Sequence, residues 1–436
     1  MKIRAFHAKD GDCLLVRGAQ DTVILVDGGR GDAFKKNAYS RLSPDELGTD
    51  IDLVYVSHID NDHLSGILEL VKAKVAWDVF DFHEGDEDSL VRRPEFGRAA
   101  PIRQIWHNGF AELVNDQDGT IERALDLATR TLSLSEPDYE LFERYENLAT
   151  GVKDTIELNY RLRFGGMEGI VNAPSTREDK LMVLSAANET HRVGEFDVRI
   201  LGPTVKELES LRSFWNEWLE DNDLDVLKLR EEAEEESRTL GTSEERALLG
   251  ILLNQARKLG EGSAGVTEPN VASLTLLVED GSHSVLLTGD ARSEELLLGL
   301  RQHGLVTDTQ GLHVDVLKVQ HHGAAGNVTE EFCKLVTADH YIFCANGSHS
   351  NPEKVVVDGI LDFRIGERAS QNLSPGKDRP FTFWFTTSSR TPGITSSQKT
   401  FLKGVEQLLR DKWDGKPGFT RKYPGTADPF SIEIEL

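Results

Sequence analysis

The chain has 436 residues, 39% of them hydrophobic and 28% charged, with 38 glycines, 14 prolines and a formal net charge of −25. This composition excludes collagen-like, low-complexity and wholly disordered chains, and at about 150 residues per domain the length allows two or three domains or one large domain with insertions. The acidic balance disfavours unguided binding to nucleic acid or anionic membranes, and three scattered cysteines (Cys13, Cys333 and Cys344) exclude a disulfide framework and fit a reducing cytoplasm.

The N-terminal MKIRAFHAKDGD carries no apolar run of signal-peptide length, and no stretch approaches the ~20 apolar residues of a membrane span. A cytoplasmic protein without a membrane partner is expected. TVILVDGG (Thr22 to Gly29) and DLVYVSHID (Asp52 to Asp60) each read as a buried strand running into a polar loop. Behind them, Leu64, Ile67, Leu68 and Val71 recur at helical spacing. From about Phe110 to Phe164 the chain turns helix-rich and mixed in charge. A second strand-rich block opens near Glu195 with EFDVRILGP. It is interrupted from about Thr204 to Gly262 by a segment with 15 acidic and 8 basic residues, a solvated or packing arm that could also meet a protein partner. Strands resume in ASLTLLVED, SVLLTGDA, VDVLKVQHHG and HYIFCANG. FTFWFTTSS, the amphipathic helix FLKGVEQLLRDKW and the alternating strand SIEIEL follow. The order predicts one layered α/β domain over residues 1–436, with helical insertions at about 110–194 and 204–262 and a C-terminal extension from about 356.

The string SHIDNDH, Ser57 to His63, sets His58, Asp60, Asp62 and His63 within six residues directly after a strand. Mixed imidazole and carboxylate donors suit zinc or manganese. In an extended loop, alternate residues face the same side, so His58 and Asp60 converge on one point while Asp62 and His63 turn to another. Asp27, Asp290, His321, His322 and His349 share a placement at or just beyond a strand end, where a rigid sheet presents loop residues. Singly, each reads as a turn former or cap; together they predict a site. No G-x-S-x-G, P-loop or zinc-ribbon cysteine pair competes.

In this order, GDCLLV…ILVDGG, SHIDNDHLSG, LGP, PNVASLTLLVEDGSHSVLLTGDA and LKVQHHG resemble the metallo-β-lactamase-fold hydrolases, and among them the ComEC-type hydrolase domain and its stand-alone relatives. The resemblance covers about residues 1 to 109 and 195 to 355. It implies a four-layer αββα sandwich. The family's H-x-H-x-D-H stands here as H-x-D-x-D-H, with Asp60 in place of the second histidine, as in ComEC-type and phosphorylcholine-esterase-type members; this puts β-lactamase activity itself in doubt. Carried over, His58 and Asp60 would bind a first metal with a histidine from a later loop, His107 in preference to His83. Asp62 and His63 would bind a second metal with His321 or His322, the former favoured because it continues its strand directly. Asp290 would bridge the two, and Asp27 would hydrogen-bond to the ligand loop without ligating. Asp62 and His349 are the expected catalytic groups, His349 as proton donor or phosphate contact, with a plain loop histidine as the alternative.

Two divalent cations sharing a carboxylate can hold a hydroxide between them near neutral pH. Four imidazoles and three carboxylates leave such a site slightly cationic, which suits an anionic substrate. The expectation is a binuclear phosphodiesterase or nuclease acting on a nucleotide or nucleic acid. A carboxylic-ester, amide or lactone hydrolase and a non-catalytic metal-binding scaffold remain as alternatives.

Overall fold

The computed structural model describes residues 1–84, 91–108, 154–155, 157–159, 161–162, 165–178, 180–210 and 272–436. Six strands make the first sheet: β1 Lys2–Phe6, β2 Leu14–Arg17, β3 Val23–Val26, β4 Leu53–Tyr55, β5 Ile105–Trp106 and β14 Ser431–Glu435, ordered β14-β1-β2-β3-β4-β5. Eight make the second: β6 Thr190–Val193, β7 Phe196–Gly202, β8 Thr275–Glu279, β9 Ser284–Leu287, β10 Leu312–Lys318, β11 Val336–Phe343, β12 Phe381–Phe385 and β13 Phe419–Lys422, ordered β13 through β6 in reverse sequence. Helices among the described residues include α1 Gly31–Asn37, α2 Pro44–Leu47, α3 Asn61–Phe82, α4 Ser293–Gln302, α5 Glu330–Leu335, α6 Lys354–Ile365 and α7 Ser396–Leu408.

Strand alternation sorts the apolar side chains into layers. In β4, Leu53 and Tyr55 face the second sheet, joining Ile24, Val198, Leu276, Val316 and Ile342, while Val54 faces outward onto α3 with Leu64, Ile67 and Val71. On the other side, Leu296 and Leu300 of α4, Phe332 of α5, Leu361 of α6 and Val405 of α7 cover Leu286, Leu317 and Phe383. Helices therefore flank two stacked sheets, the αββα order. Each fully buried Leu, Ile or Val contributes about 1.5–3 kcal/mol, whereas exposed pairs such as Arg17–Asp21 contribute about 0–1 kcal/mol. The sandwich is held by its cores.

Three expectations change. Helix α3 begins at Asn61, three residues before the expected start at Leu64: Asp60 is its extended N-cap, and the Asp60 carbonyl accepts from His63 N at 2.9 Å and Leu64 N at 3.0 Å. Both ligand candidates lie in a first helical turn, where a carboxylate also complements the helix dipole. The second strand-rich block opens at β6, before Glu195. Most of the helical insertions at about 110–194 and 204–262 lie outside the described residues. The chain beyond 356 adds β12 and β13 to one sheet and β14 to the other.

Topology then gathers the loops. β3, β4 and β5 are mutually parallel, as are β9 to β13, so within each set the C-terminal ends share one edge. Asp27, the His58 loop and His107 leave the first sheet there; Asp290, His321, His322 and His349 leave the second.

Candidate metal centre

Four histidine rings are tethered by one nitrogen. His63 Nδ1 lies 2.9 Å from Asp27 Oδ2, and His322 Nδ1 lies 3.1 Å from Asp12 Oδ1. A carboxylate only accepts, so both Nδ1 atoms carry hydrogen. Asn327 donates Nδ2 to the Asp290 carbonyl at 2.7 Å, which turns its Oδ1 to His321 Nδ1 at 2.8 Å. The Ser57 hydroxyl donates to Asp27 Oδ2 at 2.7 Å, so His58 Nδ1, 3.0 Å from Ser57 Oγ, must donate to that hydroxyl oxygen. The hydrogen-bond network assigns the Nδ1–H tautomer to every ring and leaves every Nε2 as a donor atom for a cation.

Those Nε2 atoms face one another around Asp290. His63 Nε2 is 3.4 Å from Asp290 Oδ1, and the Nε2 atoms of His322, His321 and His58 are 3.4, 3.5 and 3.9 Å from Oδ2. Asp62 Oδ2 is 3.3 Å from His322 Nε2 and 3.8 Å from His63 Nε2, while Asp60 Oδ2 is 3.6 Å from His58 Nε2. Two donors about 2.0–2.2 Å from a tetrahedral cation stand roughly 3.3–3.6 Å apart. The spacings fit metal ligation better than direct hydrogen bonding. His58 Nε2, buried without a hydrogen-bond partner among the described residues, adds to that fit.

His321 and His322 both face Asp290, and His322 is the ring that also meets Asp62 and His63. Positive φ values of 44° and 56° at these residues let consecutive side chains turn to the same carboxylate. His107 is buried one residue past Trp106, which pairs with Tyr55, so it stands beside the chain entering the His58 loop; Asn172 clamps its backbone at 2.9 and 2.6 Å. His83 ends α3, roughly 30 Å along the helix from Asp62. That separation removes it from the site. Asp27 accepts from Ser57 N and Oγ, both at 2.7 Å, and thereby fixes the ligand loop.

Asp12, and the buried pairing of Lys318, escaped the sequence reading. Asp12 reaches the site because β2 is antiparallel to β3, with Leu14 opposite Val26, so the start of β2 lies beside Asp27. Gly11 makes the approach feasible: a Cβ there would stand 1.6 Å from the Asp62 carbonyl oxygen. Asp12 meets the Nδ1 side of His322 and His63, so it orients rings and does not face the Nε2 centre. Lys318, in phase with Val316 on the inner face of β10, is fully buried and ion-pairs with Asp12; its ammonium also meets the Gly289 carbonyl at 2.9 Å and Asp290 Oδ1 at 3.4 Å. Lysine on the inward phase of an apolar strand was the available signal. Anchoring Oδ1 leaves Asp290 Oδ2 toward His58, His321 and His322.

Lys318→Met strands the Asp12 charge in the core, and breaking a buried pair costs about 3–5 kcal/mol. The Asp12→Asn/Lys318→Met double variant should regain most of that loss in denaturant unfolding of metal-free protein. A single variant as stable as the parent contradicts the pairing.

Burial would push the His63 and His322 rings down. Asp290 leads the surrounding carboxylates in reversing this, and both rings sit well above the ordinary imidazole value in the metal-free chain. Burial likewise opposes ionisation of Asp62 and Asp290, but the imidazoliums hold both carboxyls well below their usual range. The histidine contribution to stability is complete below about pH 6.5 and disappears as pH rises through the raised values. Chelator-treated protein should therefore melt at falling temperature from neutral to alkaline pH. Added divalent cation should remove that slope by replacing the Nε2 protons. A flat profile in the stripped protein would count against this charge arrangement.

Residues 8–76 match the family model of the metallo-beta-lactamase superfamily. The chain is also similar to ComE operon protein 3 of Bacillus subtilis (strain 168), with 25% identity over 189 residues, 43% of this chain and 23% of that protein. The match thus spans less than a quarter of the relative. The αββα layers agree with the fold of that superfamily, and the described residues carry a candidate metal-binding cluster. Among the described residues no helix is long and apolar enough to cross a membrane.

Proposed function

We propose that this metallo-β-lactamase-fold chain is a phosphodiesterase that uses two divalent cations, zinc or manganese. The supporting observation is the set of four tethered histidines whose Nε2 atoms surround one carboxylate, Asp290. His58, Asp60 and His107 would hold one cation; Asp62, His63 and His322 would hold the other, with Asp290 between them and His321 closing the wall. Bound cations would supply Lewis acidity toward a phosphoryl oxygen and lower the pKa of an attacking water.

The chain's own groups favour a charged ester. Lys318 offsets Asp12 inside the core, so the three facing carboxylates, Asp60, Asp62 and Asp290, remain fewer than the four charges two cations bring. Beside the ligand loop, Arg30 donates Nη1 to Asn61 Oδ1 at 2.6 Å and Nε and Nη2 to both oxygens of Asp10 at 2.9 and 2.7 Å. Asp10 Oδ2 stands 3.7 Å from His349 Nε2. Asn61 separates Asp60 from Asp62 in sequence, so this chain of contacts ties His349 to the ligand loop. In this reading its partly exposed imidazole gives a proton to the departing oxygen, and Asp10 orients the ring.

Metal analysis and a substrate panel test the proposal. Two equivalents per chain are expected, with hydrolysis of bis(p-nitrophenyl) phosphate and of nucleotide diesters in preference to carboxylic esters. Cleavage of C–O esters alone, or none with zinc or manganese present, would defeat it. His349→Ala should lose about 10²-fold in kcat on diesters with poor nucleoside leaving groups and little on p-nitrophenyl esters, whose leaving oxygen needs no proton. Equal losses on both would remove His349 as the donor.

A further inference from the structure

A cavity of about 580 Å³ opens beside the ligand loop. Asn61, Phe430 and the residues starting α7 are among those lining it. The C-terminal segment braces the His349 loop: Gln398, held in a capping box with Thr395, donates Nε2 to Ser348 Oγ at 2.8 Å. Part of the chain outside the region that resembles the family therefore shapes this space.

The cations lining the cavity differ in what they are bound to. Arg30 is committed to Asp10 and Asn61, and Lys9 pairs with Asp32 at 2.6 Å. Lys36 makes no ion pair among the described residues; its ammonium lies 5.1 Å from the centre of the Phe430 ring. It stands in the last turn of α1, roughly 9 Å along the helix from Arg30. Between the ligand loop and this cation there is space for a nucleotide-sized group. His7, in the same wall, adds no charge of its own near neutral pH: burial, reinforced by Lys36 and Lys9, holds its imidazole down to about 4, and its Nδ1 lies 2.8 Å from the Thr387 hydroxyl oxygen. On a chain of net charge −25, this is an exposed cation at the cavity wall with room for an anion beside it.

We propose that the cavity is a second substrate subsite, taking the part of the diester beyond the scissile phosphorus, and that Lys36 binds a second phosphate there. The preferred substrates are therefore nucleotide diesters carrying an additional phosphate. This rests on the phosphodiesterase reading and adds selectivity to it. A phosphate meeting an ammonium gains a charge-assisted hydrogen bond, and about 1.4 kcal/mol would give tenfold discrimination.

The test compares p-nitrophenyl esters of a nucleoside monophosphate and of the corresponding bisphosphate, which differ by one phosphate. The full-length, metal-loaded protein should favour the bisphosphate ester about tenfold in kcat/KM, mainly through KM, with the preference shrinking at high salt. Lys36→Glu should collapse the ratio toward unity, whereas Lys36→Arg should retain it. Equal rates for the two esters in the parent, or a ratio indifferent to Lys36→Glu, overturn the subsite while leaving the phosphodiesterase reading intact. Should neither ester be cleaved, that reading fails. Calorimetry on metal-free protein still decides the subsite: nucleoside bisphosphate should bind about tenfold tighter than monophosphate, and Lys36→Glu should erase the difference. Indistinguishable affinities refute it.

Discussion

Asp290→Asn is expected to cut kcat/KM on phosphodiesters by about a thousandfold and to lower the metal content below two equivalents per chain. The substitution preserves size and one carbonyl oxygen, so packing against Ser273 and Asn327 can persist. It removes the negative charge faced by the Nε2 atoms of His58, His321 and His322. An amide is a weak bridge between cations, and metal-assisted hydrolysis draws several kcal/mol from charge held there, at 1.36 kcal/mol per tenfold in rate. Elemental analysis and steady-state kinetics on the same preparation check both parts. A variant retaining two metals and parental turnover would remove Asp290 from the centre. Loss of turnover with two metals retained would instead assign it to the chemistry and not to the holding. A scaffold function would survive the substitution.

Asp27→Asn should be nearly as damaging without touching a cation. Asp27 Oδ1 accepts from Ser57 N, while Oδ2 takes the Ser57 hydroxyl and His63 Nδ1. Asparagine can keep the first contact but then presents an NH2 group to His63 Nδ1. That nitrogen must become an acceptor, the ring proton moves to Nε2, and the atom aimed at Asp290 and His322 can no longer ligate. Ser57 loses its acceptor in the same step, which frees the His58 tether. We expect metal affinity to fall by about 10–100-fold, with kcat/KM falling at least as far at limiting metal. Competition against a chromophoric chelator measures the first. A variant with parental affinity would show that His63 does not need its Nδ1 partner.

How far the site could be read beforehand varies with the residue. SHIDNDH needed no structure, because four donors in six residues are brought together by the chain itself. Asp290 and the His321–His322 pair were visible as polar ends of apolar strands. Choosing between the two histidines was not, since strand continuity predicts which side chain comes first and says nothing about a φ of 44° turning the backbone between them. His107 could be placed at a strand end, yet its position beside the His58 loop depends on the Tyr55–Trp106 pairing.

By itself, the sequence determined a layered α/β domain, through apolar runs and one helical stripe, and the donor types at the centre, through a local motif; the αββα order was what its family resemblance implied. Tertiary structure alone decided what holds those donors. Asp12 meets His322 across 310 residues, and Lys318 meets Asp12 only because two sheets face each other. Local patterns survive in a linear string because bond geometry enforces them. Ring tautomers, a buried counter-ion and a cavity beside α1 exist only once antiparallel pairing and sheet packing bring distant segments within hydrogen-bonding reach.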